Sequence, residues 1–278
     1  MSEPAPARAP QVCGALGNYD RQRVERMAAA LDPACRIVHR DDDSVLLLDR
    51  EPLRWGGEGR RGLAWIEGLA WRGGAGDWRE ASRQGACGLV LEGRRRYLHS
   101  SISGLGPIYW IAERGCVYFA SRIEPLAHTA SGRLSVDWDA WASIIALRFP
   151  AGERTPFAEI RRLQPFSLLR RRWRRFAPDS PTWPWAESEP RLGREAAAEA
   201  FCVGLREAIA PFDAPVAVPL SGGRDSRMLA CALAERGVAS ATLTVGDDEG
   251  DSFEEDLAAP VAAILGLPHE RLKADAER

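Results

Sequence analysis

The segment whose residue types could do chemistry is Ser221-Gly222-Gly223-Arg224-Asp225-Ser226. It follows an apolar run, PVAVPL at 215–220, and leads at once into RMLACALAE. Gly222 and Gly223 permit positive φ and let a ligand come close to the backbone. The N–H groups of such a turn, and of a helix starting directly after it, converge on an anion. Ser221 and Ser226 add hydroxyl donors. Asp225 puts a carboxylate where that anion would sit, which is unfavourable unless a cation bridges them. Mg²⁺ is the natural cation, because it binds phosphate and carboxylate oxygens together. No GxxxxGK[ST] segment occurs, so the loop is not of the Walker type.

Such a loop needs a strand to deliver it and a helix to follow it. The pattern predicts a helix over 194–210, a strand over 215–220, a helix over 224–236 stopped by Gly237, a strand over 239–245 and a helix over 253–265 that tolerates Pro260. Alternating strands and helices imply a parallel α/β sheet with right-handed crossovers. Met228, Leu229, Ala232 and Leu233 are expected to face it. Residues 177–193, rich in proline and polar residues, read as a linker.

Residues 13–176 read as an α+β domain. Strands are expected at 45–48, 63–70, 87–91, 96–101, 107–112 and 116–120. A helix over 21–31, with Asp20 as cap, spaces Val24, Met27, Ala28 and Leu31 on one face. A second helix, capped by Asp137 and running to 146, places Trp138, Trp141, Ile144 and Ile145 together. Residues 1–12 form a Pro/Ala-rich tail, expected to be disordered.

Composition narrows the function classes. A chain of 278 residues suggests about two domains. A net charge of −2 and a pI of about 6.2 give no case for nucleic-acid or acidic-membrane binding. The arginine runs at 94–96 and 170–175 read as solvated strand faces. No apolar run approaches the roughly 18 residues of a membrane span, and the first residues lack the apolar core of a secretory signal. The six cysteines include no CxxC pair, which implies reduced thiols and a cytoplasmic location. The four histidines lie far apart, without metal-ligand spacing. Lys273 is the only lysine.

SGGRDS resembles the SGGxDS pyrophosphate loop of the asparagine synthetase-like ATP pyrophosphatases, which include asparagine synthetase, β-lactam synthetase and the lasso-peptide cyclases. The resemblance continues through TLTVG at 242–246 and through Glu254, Ala258, Val261-Ala262, Leu265-Gly266 and His269. It implies that a carboxylate is adenylated with ATP·Mg²⁺ and that an amine then displaces AMP. It implies that Ser221, Gly222, Gly223, Asp225 and Ser226 hold pyrophosphate and Mg²⁺, with Asp225 as the metal carboxylate. Val218, Leu220, Val245 and Gly246 would line the adenine side.

The N-terminal half resembles the class II glutaminase domain of the same family, an Ntn-hydrolase-like sandwich. The matching segments are Cys13-Gly14-Ala15-Leu16-Gly17, GLGPIY at 104–109, FASRIEPL at 119–126 and RTPFAEIRRLQPFSLL at 154–169. That fold needs its cysteine as residue one, so that the free amine assists the thiol. Cys13 follows a twelve-residue tail, the RGPD segment is missing, and Glu67-Gly68-Leu69 is the nearest counterpart of NGE. Cys13 is thus a degenerate nucleophile candidate whose bland alternative is a small buried strand residue. These departures imply an inactive glutaminase domain, as in lasso-peptide cyclases. Residues 194–278 are read as the start of a longer synthetase domain. Implied partners are a carboxylate-bearing substrate such as a precursor peptide, a second copy of the chain, and a maturation protease. Glutamine-hydrolysing asparagine synthesis and a non-catalytic nucleotide-binding fragment remain as alternatives.

Overall fold

The computed structural model describes residues 9–57, 60–66, 73–172, 175–179, 192–213, 215–246 and 253–273. The chain forms two compact units, Met1–Ser188 and Glu189–Arg278.

The first unit is built on two antiparallel sheets. One contains β1 (Val12–Leu16), β2 (Arg36–Arg40), β3 (Ser44–Leu48), β8 (Tyr109–Glu113), β9 (Cys116–Ala120) and β10 (Arg161–Arg162), in the order β10-β8-β9-β1-β3-β2. The other contains β4 (Leu53–Gly57), β5 (Arg60–Ile66), β6 (Ala86–Glu92), β7 (Arg95–His99), β11 (Leu168–Arg172) and β12 (Arg175–Asp179), in the order β12-β11-β7-β6-β5-β4. Strand alternation sorts the side chains. Val12 and Leu16 join Leu46, Leu89 and Leu98 in the core between the sheets. Cys13 and Ala15 turn the other way, to α1 (Arg21–Leu31) and α3 (Glu124–Thr129). Beyond the second sheet, Trp55, Val90 and Tyr97 pack with Trp78 of α2 (Trp78–Arg83). The layers run helix, sheet, sheet, helix.

Three helices of this unit begin on aspartate caps. Asp20 accepts from the Gln22 N–H, Asp77 from the Arg79 and Glu80 N–H groups, and Asp137 from the Ala140 N–H. Each such cap contributes about 1 kcal/mol. Some boundaries differ from the sequence expectation. The strand expected at 96–101 stops at His99, where Ser100 turns its N–H to the Ser167 carbonyl. Strand β12 runs on to Asp179, into the segment read as linker, because its pairing with β11 continues to Leu168↔Asp179. Residues 67–70, the second half of another expected strand, lie outside the described residues.

The helix α4 (Trp138–Leu147) departs most. Ala140 is its buried residue, whereas Trp138 (76%), Trp141 (41%) and Ile145 (78%) are exposed. Ala140, Ser143 and Ile144 occupy the inner face, so the bulky stripe points outward.

The second unit comprises α5 (Arg194–Ile209), β13 (Val216–Pro219), α6 (Arg224–Arg236), β14 (Ala239–Gly246), α7 (Phe253–Ile264) and β15 (His269–Lys273). Its three strands pair in parallel, in the order β13-β14-β15. Val218 and Leu220 share a core with Ile209, Ala230, Leu233, Ala258 and Ala262. Gly237 ends α6 at φ 78°, a left-handed position that favours glycine. The face of α6 is not the expected one. Leu233 is buried and Ala232 partly so, but Met228 and Leu229 are exposed at 40% and 37%, and Ala230 takes the inner place. The Ser226 hydroxyl is bonded back into the preceding loop, which sets the helix phase. Residues 226, 230 and 233, at i, i+4 and i+7, then make the inner stripe.

Candidate functional site

The parallel register positions the loop. Val218 stands opposite Thr242 and Pro219 opposite Leu243, so Ser221 comes level with Val245 at the carboxyl ends of β13 and β14. Ligands of open parallel sheets bind at that edge. Leu220 N–H donates to the Leu243 carbonyl at 2.8 Å, and Thr244 Oγ1 donates back to the Leu220 carbonyl. The last residue before the loop is therefore held on both sides.

Within the loop, Ser221 N–H donates to Ser226 Oγ at 3.1 Å, and the two hydroxyls are 2.9 Å apart. Gly223 N–H donates to Ser221 Oγ at 3.2 Å. Arg227 Nε donates to the Gly223 carbonyl at 3.1 Å. The bonds close the segment into a compact turn that leads into α6.

Glycine plays a different part from the one expected. Neither Gly222 nor Gly223 has a positive φ, and Gly223 stands at φ −72°, ψ 156°. A Cβ on Gly223 would meet only Ser221 Oγ, at 3.2 Å, within its surroundings. The chain's own packing does not forbid a side chain there, but one would fill the room above the turn. No side chain caps the N-terminus of α6. Its first N–H groups have no partners within the helix, which suits an anion. Asp225, exposed in the first turn, brings a carboxylate to this edge.

The structure thus brings Ser221, Gly222, Gly223, Asp225 and Ser226 together in one turn. Val245 lies 60% exposed at the same strand end, followed by buried Gly246. Val218 and Leu220 differ from expectation. Their side chains are 1% and 2% exposed and belong to the core, so only their backbone is left to face a ligand. Two contributors escaped the sequence reading, Thr244 and Arg227. The only signals were a hydroxyl late in β14 and a cation four residues after Gly223. Lys273 closes β15 opposite Gly246. A groove of about 540 Å³ runs between α5 and α6, lined by Phe201, Leu205, Met228 and Val261, with Arg224 and Arg227 among its cations.

Cys13 does not form a site. It is fully buried between β3 and β9. Burial, and secondarily Cys35, push its thiol far above the ordinary range. A protonated, inaccessible thiol is a poor nucleophile. Glu67, Gly68 and Leu69 lie outside the described residues.

A second polar cluster sits at the β2–β3 hairpin. His39 Nε2 is 3.0 Å from Ser44 Oγ, which donates to Asp41 Oδ1 at 2.8 Å, while Arg96 pairs with Asp41 at 2.7 Å. Ser44 is fully buried and spends its proton on the carboxylate. In a nucleophile–base pair that proton would go to the imidazole. This cluster closes a turn. Among the described residues no three His, Cys, Asp or Glu side chains are placed to hold a metal. No helix there is long and apolar enough to cross a membrane.

Comparison with known proteins adds to this geometry. Residues 205–278 match the family model for asparagine synthase. No curated protein matches the chain. Among solved structures, the glutamine phosphoribosylpyrophosphate amidotransferase from B. subtilis, complexed with ADP and GMP, is similar at 10% identity and a TM-score of 0.40. That alignment covers 94% of this chain and 65% of that one. Over residues 205–278, then, the chain is similar to the asparagine synthase family, and the turn of residues 221–226 lies within that similarity.

Proposed function

We propose that the second unit supplies the ATP polyphosphate site of an asparagine synthase-like, ATP-dependent amide-forming ligase. The observation that carries this reading is the uncapped α6 N-terminus behind Ser221–Ser226, inside the segment matched by the asparagine synthase model. The open N–H groups at the start of α6, with the hydroxyls of Ser221 and Ser226, bind the phosphate oxygens. Asp225 would hold Mg²⁺, which would supply charge neutralisation there. Thr244 and Arg227 fix the turn from the strand side and the helix side. The chain's part is to orient ATP so that a substrate carboxylate displaces pyrophosphate, after which an amine displaces AMP.

The first unit acts in this reading as a degenerate class II glutaminase-like domain of Ntn-hydrolase-like layering. The burial of Cys13 supports it. An enzyme that draws no ammonia from glutamine can take its amine from the substrate itself, as a lasso-peptide cyclase does. A precursor peptide is the corresponding substrate, and the cytoplasm the corresponding location.

Magnesium pyrophosphate and AMP separate the two halves of the nucleotide in a calorimetric titration. Magnesium pyrophosphate should bind, lose affinity when Mg²⁺ is chelated, and compete with ATP. Binding of AMP without binding of magnesium pyrophosphate would contradict the assignment.

A further inference from the structure

We infer that Cys202 and Cys231 form a reversible dithiol pair, which a small disulfide oxidant such as oxidised glutathione converts into a cross-link between α5 and α6. Every group involved belongs to the second unit. The two helices run side by side in the same direction. α6 crosses between the parallel strands β13 and β14, and α5 leads directly into β13, so both run against the strands. Their carboxyl ends are tied together. Arg236 donates from Nε to the Phe212 carbonyl at 3.1 Å and from Nη2 to the Ala210 carbonyl. Beside this tie, Arg206 Nη2 of α5 meets Glu235 Oε1 of α6 at 3.2 Å. Residues four apart lie one above the other on a helix face. Four residues back from Arg206 stands Cys202, and four residues back from Glu235 stands Cys231. The next pair along the two facing ridges is therefore a pair of cysteines. Both line the groove between the helices.

Both thiols are free and exposed, unlike the buried Cys13, Cys87 and Cys116. They are shorter than the arginine and glutamate that meet one turn on. A bond between them therefore draws the helices together at this level, to a Cα separation of about 4–7 Å. The packing of α5 allows this. Residues 194–204 are exposed throughout, while Leu205 and Ile209 pack into the core of the unit. The helix is held by its last turn, and its amino-terminal part is free to tilt into the groove. The chemistry is thiol–disulfide exchange. The sulfur of one cysteine attacks oxidised glutathione and releases one glutathione. The sulfur of the other cysteine attacks the mixed disulfide and releases the second. The two cysteine thiols lose two electrons to the oxidant, and their two protons leave on the two glutathione thiols. In a reducing compartment the pair rests as thiols, and the cross-link is a transient response to an oxidant. Once formed, it closes the groove beside Leu205 and Met228 and fixes α5 to the helix that begins at residue 224.

Incubation of the full chain with oxidised glutathione, followed by non-reducing digestion and mass spectrometry, tests the inference. The expected product is a pair of peptides linked through Cys202 and Cys231, without retained glutathione on either, and reversed by dithiothreitol. The folded chain should form it about tenfold faster, or more, than the chain in urea, because the fold raises the effective concentration of one thiol at the other. Cys202→Ser and Cys231→Ser should each instead keep one glutathione on the remaining member of the pair. The oxidised parent should unfold at a higher temperature than the reduced parent, and that difference should vanish in both variants. Glutathione on both cysteines with no link between them would overturn the inference. A link that forms as fast in urea, or links between separate chains in place of the internal one, would overturn it as well. Nucleotide binding enters none of these outcomes, so the function proposed above stands or falls separately.

Discussion

Ser226 Oγ stands 2.9 Å from Ser221 Oγ and accepts the Ser221 N–H at 3.1 Å. The turn is thus closed by its own first and last residues before any ligand arrives. The same bond orients α6, because it places residue 226 on the inner face of the helix.

Removing that hydroxyl should loosen both. Ser226→Ala is expected to cost the second unit about 1 kcal/mol, the net worth of a typical intramolecular hydrogen bond. Amide exchange at Ser221 and Gly223 should accelerate more than exchange at Leu233. Equal exchange in parent and variant would mean that the hydroxyl does not hold the turn.

The strand–turn–helix unit was legible in the sequence because its signals are local. Glycine pairs, a Gly237 stop and the aspartate caps at 20 and 137 act within a few residues. Faces were less legible. In α6, Met228, Leu229, Ala232 and Leu233 are all apolar, and the phase is set by a bond outside the helix. In α4, Ala140 is buried while two tryptophans are not, and periodicity finds a stripe without saying what it faces. Strands such as β2 (RIVHR) and β12 (RFAPD) show no clear apolar alternation; their pairing with β3 and β11 makes them strands.

The thiols should divide by burial. Cys202 and Cys231 are exposed, whereas Cys13, Cys87 and Cys116 are buried. A thiol reagent should therefore label Cys202 and Cys231 rapidly and leave Cys13 unlabelled until the chain unfolds. Incubation with glutamine should release no glutamate, and Cys13→Ala should change nothing in that assay. Glutamate release that disappears in Cys13→Ala would restore Cys13 as a nucleophile.

His99 should make the first unit acid-sensitive. It is fully buried between Trp55 and Trp78, and neither ring nitrogen has a hydrogen-bond partner. Burial depresses its pKa from 6.5 to about 3. A depressed folded-state pKa means that the unfolded chain binds the proton first. Its contribution is therefore complete above pH 6.5 and is lost as the pH falls towards 3. The slope is about 1.4 kcal/mol per pH unit in that window. Urea unfolding at several pH values should show this limb in the parent and a flatter one in His99→Leu. Identical limbs would show that the imidazole is solvated.

The central claim is that Ser221–Ser226 binds a polyphosphate through Mg²⁺ and open backbone. Calorimetric titration with ATP·Mg²⁺ tests it most directly, on the parent, Asp225→Asn and Gly223→Ala. Asp225→Asn keeps the shape and removes the charge that holds the metal. Gly223→Ala adds a Cβ that meets only Ser221 Oγ within the fold, so stability should move by about 1 kcal/mol at most. The prediction is that the parent binds and that both variants bind at least tenfold more weakly while unfolding near the parent's temperature. Equal binding by all three proteins would contradict it and leave the turn a structural one.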